Sequence, residues 1–469
     1  MSPTGTCSAE DELVDYDLIV IGGGAAGLGA ARAGVRRGAK TLLVSDGPPG
    51  GDCTFTGCVP SKTLIEAARR GLPFPQATQR VRDAVATIAA TENAEVLQGE
   101  GIDVMLGRAA FDGRGRVIVD GRSVIGRRFI VATGSRPAIP PIPGLEKVPY
   151  LTNETVFDLP ALPASLAVLG GGAIGCELAQ AFARLGSRVT VVEAANRLLP
   201  GEEPEVSAVI SDVFTREREG IAIYTGARVE KVLGAASGVR LELAGGIHID
   251  AEYLLVATGR QPVTDELGLD AIGVGLDVRG HVITDDRLAI TAPGMYAAGD
   301  VTGRMMFTHA ADEMGRLAAG NALAPSWRRR RYRTNVTPWV TFTDPEIARV
   351  GLIEADTAAR GGRVAYLPMS GADRAIAAGE TDGFIKLLAG PRPLLRNLGG
   401  GRILGATIVA ERAGEMIAEV ALAAATGMFT GRLAAASHAY PTWSSAVQLA
   451  AAQFFGRYSG RTARPARPD

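Results

Sequence analysis

A strand–turn–helix unit with one glycine spacing occurs twice in this chain, and that repeat restricts the fold more than any other feature. Asp17-Leu-Ile-Val-Ile21 is a short apolar, β-rich run leading directly into Gly22-Gly23-Gly24-Ala25-Ala26-Gly27. Ser165-Leu-Ala-Val-Leu169 leads in the same way into Gly170-Gly171-Gly172-Ala173-Ile174-Gly175. Each is GxGxxG between an apolar strand and an Ala-rich helix. Gly22 and Gly170 make the tight turn, Gly24 and Gly172 admit a pyrophosphate to the backbone, and Gly27 and Gly175 let helix and strand pack closely. Free N–H groups at each helix start then face the phosphates. Alone such a motif is a weak signal; two in the right context predict two dinucleotide sites.

The residues beyond each motif refine this. Arg188-Val-Thr-Val-Val192 ends on Glu193, eighteen residues past Gly175. An acid there accepts both ribose hydroxyls and repels a 2′-phosphate, so the second site reads as one for NADH. Arg197 keeps NADPH open. At the first site the corresponding residue is Ser45, with Asp46 beside it; either Asp46 takes the ribose or Ser45 holds it more weakly. Two further strands end in glycine turns, Phe129-Ile-Val-Ala-Thr133-Gly134 and Leu254-Leu-Val-Ala-Thr-Gly259. Gly294-Met-Tyr-Ala-Ala-Gly299-Asp300 places an apolar strand before an acid. Asp300 either accepts from a ribityl hydroxyl, which is the flavin half of FAD, or caps a helix expected near 309–319.

Between these units lies Gly50-Gly51-Asp52-Cys53-Thr54-Phe55-Thr56-Gly57-Cys58-Val59-Pro60-Ser61-Lys62. It holds two of only four cysteines in 469 residues, five positions apart. A bridge closing so small a loop adds little constraint to the unfolded chain, so a redox couple is the better reading. Five residues of ideal helix rise about 7.5 Å, beyond the span a disulfide tolerates, so the segment must be a distorted turn, with Gly57 permitting it. A helix beginning near Pro60 would aim its positive end at the thiols. Cys7 and Cys176 do not fit the couple; Cys176 reads as a small core residue. Lysine occurs only at 40, 62, 147, 231 and 386 in an Arg-rich chain. Lys62 therefore draws attention, because a planar guanidinium cannot copy a compact ammonium where space is tight.

Apolar content of 46%, charged content of 21% and a net charge of −1 give no reason to expect nucleic acid or an anionic membrane as partner. The polar, acidic start MSPTGTCSAEDELVDYD is not a signal peptide, and no apolar run approaches a bilayer span. A cytoplasmic protein without a resident metal is expected. The run Arg328–Arg331 reads as a solvated linker. Beyond Asn335 the glycine pattern stops. Strands at 383–388 and 402–409 and helices at 415–426 and 444–455 then predict a separate α+β domain. The tail GRYSGRTARPARPD reads as disordered.

Together these motifs resemble the group I flavoprotein disulfide reductases, the family of dihydrolipoyl dehydrogenase, glutathione reductase and mercuric reductase. The resemblance runs from about Tyr16 to Phe455 and includes Phe342-Thr-Asp-Pro-Glu-Ile-Ala-Arg-Val-Gly351. It implies an α/β chain with two Rossmann-like domains, for FAD and NAD(P), and a C-terminal α+β dimerisation domain that builds a homodimer. The expected map is a disordered 1–15, an FAD domain at 16–155 and 285–333, an NAD(P) domain at 156–284, an interface domain at 334–456 and a tail at 457–469. Cys58 would be the charge-transfer thiolate against the flavin, Cys53 the interchange thiol, and Lys62 would lie near the flavin paired with Glu177. Gly51, Asp52, Thr133, Gly134, Gly259, Arg260, Gly299 and Asp300, with Ile174 at the second motif, would complete the cofactor contacts.

The chain departs from the family in three places. The family's His-Pro-Thr-x-x-Glu becomes Tyr440-Pro441-Thr442-Trp443-Ser444-Ser445, so Tyr440 stands for the histidine and Ser445 for the glutamate. With an ordinary pKa of ~10, a phenol is a poor base at neutral pH, so oxidation of a dithiol such as dihydrolipoamide should be slow. A tyrosine there resembles the mercuric reductases, whose soft metal needs thiolates more than a proton acceptor. Their paired C-terminal cysteines and N-terminal metal-binding domain have no counterpart in this sequence. His438 could instead supply the base, sharing a face with Tyr440 in an extended segment. Asp52 replaces the usual threonine and Phe55 the usual asparagine; a carboxylate at 52 should raise the Cys53 pKa. The expected activity is NAD(P)H oxidation through FAD and the cysteine pair to a small-molecule or soft-metal acceptor. A low-molecular-weight disulfide reductase is the first alternative. A diaphorase, a quinone reductase or a non-enzymatic redox-sensing flavoprotein is the second.

Overall fold

The computed structural model describes residues 14–113, 116–216, 218–235, 238–392, 394 and 396–468. They fall into two compact units, each assembled from separate stretches of chain.

The first unit takes residues up to 61, 79–138 and 260–332. Its core is a five-stranded parallel sheet in the order Met295–Ala297, Phe129–Val131, Leu18–Ile21, Thr41–Ser45, Ile102–Leu106. Leu18–Ile21 and Thr41–Ser45 are buried throughout, which is why Leu18–Ile21 reads as an unbroken apolar run rather than an alternating one. Helix Ala25–Val35 packs against helix Thr308–Leu323 through small residues. A Cβ on Gly315 would lie 2.0 Å from the Ala26 carbonyl oxygen, so only glycine allows this approach. Ser135–Pro137 and Arg260–Pro262, the segments following the two glycine-turn strands, pair antiparallel with each other. That pairing draws residues 260–284 into the first unit, where the sequence reading had kept them with the nicotinamide domain.

The second unit takes residues 62–78, 139–259 and 333–469. It contains a four-stranded parallel sheet, Ala222–Thr225, Arg188–Glu193, Ser165–Leu169, Tyr253–Val256, and a three-stranded antiparallel one. It also contains a six-stranded antiparallel sheet, Trp339–Thr341, Glu346–Gly351, Arg402–Ala410, Phe384–Gly390, Arg363–Pro368, Arg464–Pro465. Helices Ala413–Ala425 and Ser445–Ala452 cover that sheet, close to where the sequence pattern placed them. The turn Phe342–Asp344 is tied to helix Ala173–Leu185. The Gln180 side chain accepts from the Asp344 N–H at 2.7 Å, and Arg184 binds the Asp344 carboxylate at 2.7 Å.

The tail corrects an expectation. Arg464–Pro465 is the edge strand of the six-stranded sheet, and Arg464 forks onto the Glu354 carboxylate. Its Arg, Pro and Gly content reads as disorder, but a strand edge and a buried acid elsewhere in the chain hold it. Cys7 and residues 1–13 lie outside the described residues.

Candidate functional site

The cysteine turn is built by two short helices that do not join. Helix Gly51–Phe55 ends at Thr56 (φ −136°), and helix Cys58–Arg69 begins at the second cysteine itself. A Cβ on Gly57 would lie 2.8 Å from the Asp52 carbonyl oxygen, so glycine is needed there for space. The break brings Cys53 and Cys58 together: their thiols are hydrogen-bonded, both are half-buried, and they are not joined as a disulfide. The Cys58 sulfur also lies 3.3 Å from the Thr308 hydroxyl. The hydrogen bond to Cys58, burial and the charge of Cys58 together drive the Cys53 pKa well above an ordinary thiol's, with a smaller contribution from Glu92.

Asp52 does not act on Cys53 as the sequence suggested. Its carboxylate pairs with the Arg260 guanidinium at 2.7 Å and accepts from the Thr56 hydroxyl. Arg260 in turn donates to the Ser135 hydroxyl at 2.7 Å and to its carbonyl at 2.8 Å, and Ser135 donates to Asp300 at 2.7 Å. Burial raises the Asp300 carboxyl, opposed by that hydrogen bond and by Arg260. Asp300 opens a 3-10 turn, Asp300–Thr302, whereas the following helix starts at Thr308 with Phe307 as its cap. The helix-cap alternative for Asp300 therefore falls away.

The two glycine cradles are near copies. Gly24 and Gly172, at the caps of helices Ala25–Val35 and Ala173–Leu185, have φ/ψ of −79°/−172° and −78°/−172°. Neither helix has a side-chain cap or an acid in its first turn, which leaves its positive end open to an anion. Space above Gly172 is empty, and a Cβ on Gly24 would meet only the Gly51 Cα at 4.0 Å. Gly22 and Gly170 sit at φ +114° and +112°, and Gly27 and Gly175 have no room for a Cβ. Ser45 is buried against Gly23, whereas Asp46 is exposed just past the strand end. Glu193 lies against Gly171 and accepts its N–H at 2.6 Å. Arg197 is turned onto the Pro200 and Glu202 carbonyls at 2.9 and 3.0 Å. Thr133 donates to the Val263 carbonyl at 2.6 Å, fixing the turn that carries Gly134 (φ +73°). Gly259 and Gly299 are likewise left-handed turn residues, at φ +146° and +81°. Ile174 lies in the first turn of its helix, half-buried.

Lys62 and Glu177 meet at 2.8 Å. The other Glu177 oxygen accepts from the Phe342 N–H at 2.7 Å, and the Lys62 ammonium lies 4.8 Å from the Phe342 ring centre. Tyr440 is 75% exposed and donates its hydroxyl to a carboxylate, that of Asp373, at 2.9 Å. His438 is not beside it in function. Its Nε2 donates to Glu419 at 2.9 Å and its Nδ1 to the Ala436 carbonyl at 3.0 Å. Burial lowers the His438 pKa, but Glu419 and the carbonyl outweigh it and raise it overall. With one nitrogen on the Glu419 carboxylate and the other on the Ala436 carbonyl, the ring is clamped to helix Ala413–Ala425 and is engaged at both nitrogens. Thr308, Glu92 and Ser135, around the cysteine turn, and Asp373, at Tyr440, were missed by sequence reasoning, because each comes from a distant segment with no motif around it.

This arrangement defines a two-nucleotide flavoprotein with a dithiol redox pair. Residues 16–315 match the pyridine nucleotide-disulphide oxidoreductase family, and residues 337–451 match that family's dimerisation domain. The chain belongs to this family of FAD- and NAD(P)H-using enzymes. It is 36% identical to mercuric reductase from Bacillus cereus, over 94% of this chain and 72% of that protein. To mercuric reductase from Streptomyces lividans it is 38% identical, over 94% and 96%. Its fold is similar to the Cu(II) complex of the HOCl-induced flavoprotein disulfide reductase RclA from Escherichia coli, with a TM-score of 0.84 at 29% identity, covering 92% of this chain and 98% of that one. Among the described residues no helix is long and apolar enough to cross a membrane.

The residues present fit FAD and a nicotinamide dinucleotide: two open glycine cradles, two uncapped helix starts and acids at Asp46, Asp300 and Glu193.

Proposed function

We propose that this chain is an NADH-dependent reductase whose acceptor is a soft metal ion bound by thiolates, on the mercuric pattern. The bound FAD supplies the route by which a hydride from NADH becomes an electron pair for the cysteine disulfide. Gly22, Gly24, Gly27, Gly51 and Asp300 would hold that cofactor. Gly170, Gly172, Gly175 and Glu193 would hold the nicotinamide dinucleotide. The engagement of Arg197 with two carbonyls supports NADH over NADPH. Reduction leaves Cys58 as thiolate and Cys53 as thiol, and the dimer brings Tyr440 to the acceptor.

The observation that carries the metal reading is Tyr440. Its hydroxyl already donates to Asp373, which raises its pKa, so it cannot take a proton from a dithiol. His438, bound at both nitrogens, does not replace it. Thiolate-bound metal needs no such base, since soft sulfur ligands rather than proton transfer govern its capture. The test compares NADH and NADPH oxidation by the purified flavoprotein with a thiol-complexed Hg(II) salt, a Cu(II) salt, oxidised lipoamide and glutathione disulfide. Metal-driven turnover that Cys53→Ser abolishes is expected. Faster turnover on either disulfide would overturn the reading. Turnover unchanged in Cys53→Ser would assign electron transfer straight from flavin, as in a diaphorase.

A further inference from the structure

In the family pattern a glutamate orients the catalytic imidazole from five residues downstream, and here that position is Ser445. Its hydroxyl donates to the Thr442 carbonyl at 2.7 Å and its N–H to the Thr442 hydroxyl at 3.3 Å, so it serves its own turn. A carboxylate reaches Tyr440 from elsewhere. Asp373 opens the short helix Asp373–Ala378, and its Oδ2 accepts the Tyr440 hydroxyl at 2.9 Å across 67 residues of sequence. The next residue repeats the contact: the Arg374 guanidinium lies 5.9 Å from the ring centre of Trp443. Two adjacent side chains of one segment thus grip two side chains of the other, and the Tyr440 ring between them stays 75% exposed. A ring exposed in the single chain adds little to that chain's own core, so packing within the chain does not account for the grip.

We propose that Asp373 is the positioning residue for Tyr440, a carboxylate relocated from position 445 to do for a phenol what the family's glutamate does for an imidazole. This rests on the reading of Tyr440 given above. With its proton committed to Asp373, the phenol offers an incoming acceptor only its oxygen lone pairs. It is then a neutral, oriented oxygen donor suited to a metal–thiolate complex, and it stays protonated at neutral pH because the neighbouring carboxylate opposes phenolate formation.

The experiment is a double-mutant cycle on kcat/KM for a thiol-complexed Hg(II) salt, using holoenzyme of Tyr440→Phe, Asp373→Asn and the double variant. Tyr440→Phe should lower kcat/KM about tenfold or more, Asp373→Asn about three- to tenfold, and the double variant no further than Tyr440→Phe alone. Asp373→Glu should recover part of the loss, and the Tm of each variant should stay within about 2 °C of the parent, as expected for an exposed pair. Multiplying effects in the double variant, or an inert Asp373→Asn beside a slow Tyr440→Phe, would overturn the role of Asp373 and leave the reading of Tyr440 standing. An inert Tyr440→Phe would overturn both.

Discussion

Asp52 and Arg260 form an ion pair at 2.7 Å between residues 208 positions apart, and it removes the aspartate's charge from the redox turn. The Arg260 side chain is largely buried and also contacts Ser135, 3.8 Å from Asp300. It therefore offsets two carboxylates at once. Replacing it with methionine should leave both uncompensated beside a phosphate-bearing cofactor. FAD retention in Arg260→Met, followed by the fraction of flavin lost on dilution and filtration, should fall about tenfold in affinity. Asp52→Thr should retain FAD as the parent does.

Glu92 is the carboxylate that bears on Cys53. It accepts the Thr54 hydroxyl at 3.1 Å and raises the neighbouring thiol's pKa. Glu92→Gln should lower that pKa and speed alkylation of Cys53 in the reduced protein about two- to fivefold near pH 8. Asp52→Asn should leave the alkylation rate nearly unchanged, since its charge is already paired.

Lys386 is 1% exposed and holds three carboxylates, Glu205 at 2.7 Å, Glu354 at 3.0 Å and Glu203 at 3.2 Å. Lys386→Met strands buried charge and should destabilise the second unit by roughly 3–5 kcal/mol in a denaturant titration. Burial alone would raise the Glu354 carboxyl, but Arg464, Lys386 and the Arg467 N–H hold it down at about 2. A depressed acid contributes stability that is present above its ordinary value of 4.5 and lost as pH falls toward 2. Removing residues 460–469 takes away Arg464, so it should reduce stability at pH 7 and flatten the acid limb of the stability curve.

Glu346 has the opposite sign. Burial pushes its carboxyl up to about 7, against the Gly414 N–H that it accepts at 2.8 Å. The fold therefore favours the protonated form, and this contribution fades as pH rises from 4.5 through 7. Glu346→Gln keeps an acceptor for Gly414 and removes the charge. A gain of roughly 2–3 kcal/mol at pH 8, shrinking toward zero at pH 5, is expected from thermal unfolding across pH.

His438 also titrates, in the same sense as Glu346 but in a higher pH window. Its raised pKa means that the clamp onto Glu419 is complete below the ordinary imidazole value and is lost as pH climbs through the raised one. Glu419→Gln should cost a few degrees of Tm at pH 6 and much less at pH 9, with kcat/KM for a metal acceptor unchanged in pH profile.

Much of the fold was legible because it rests on local rules. Gly22, Gly24 and Gly27 and their counterparts at 170, 172 and 175 declare themselves through spacing, since turn geometry and close helix approach exclude any Cβ. A strand such as Leu18–Ile21 is visible as a continuous apolar run because both faces are buried. Cys53, Gly57, Cys58 and Lys62 belong to one segment, and their proximity follows from the chain itself.

What stayed hidden depends on contacts between distant segments. That Asp52 is neutralised by Arg260, that Thr308 reaches Cys58, that His438 turns to Glu419 while Tyr440 turns to Asp373, and that an Arg- and Pro-rich tail becomes an edge strand are all decided by which surfaces pack together. Sequence alone determined the two dinucleotide cradles, the dithiol and the missing imidazole, because backbone geometry and side-chain chemistry are written residue by residue. Only the tertiary structure decided which charges are paired and which protons are held. Those depend on distances of a few ångströms between side chains that the sequence keeps up to hundreds of residues apart.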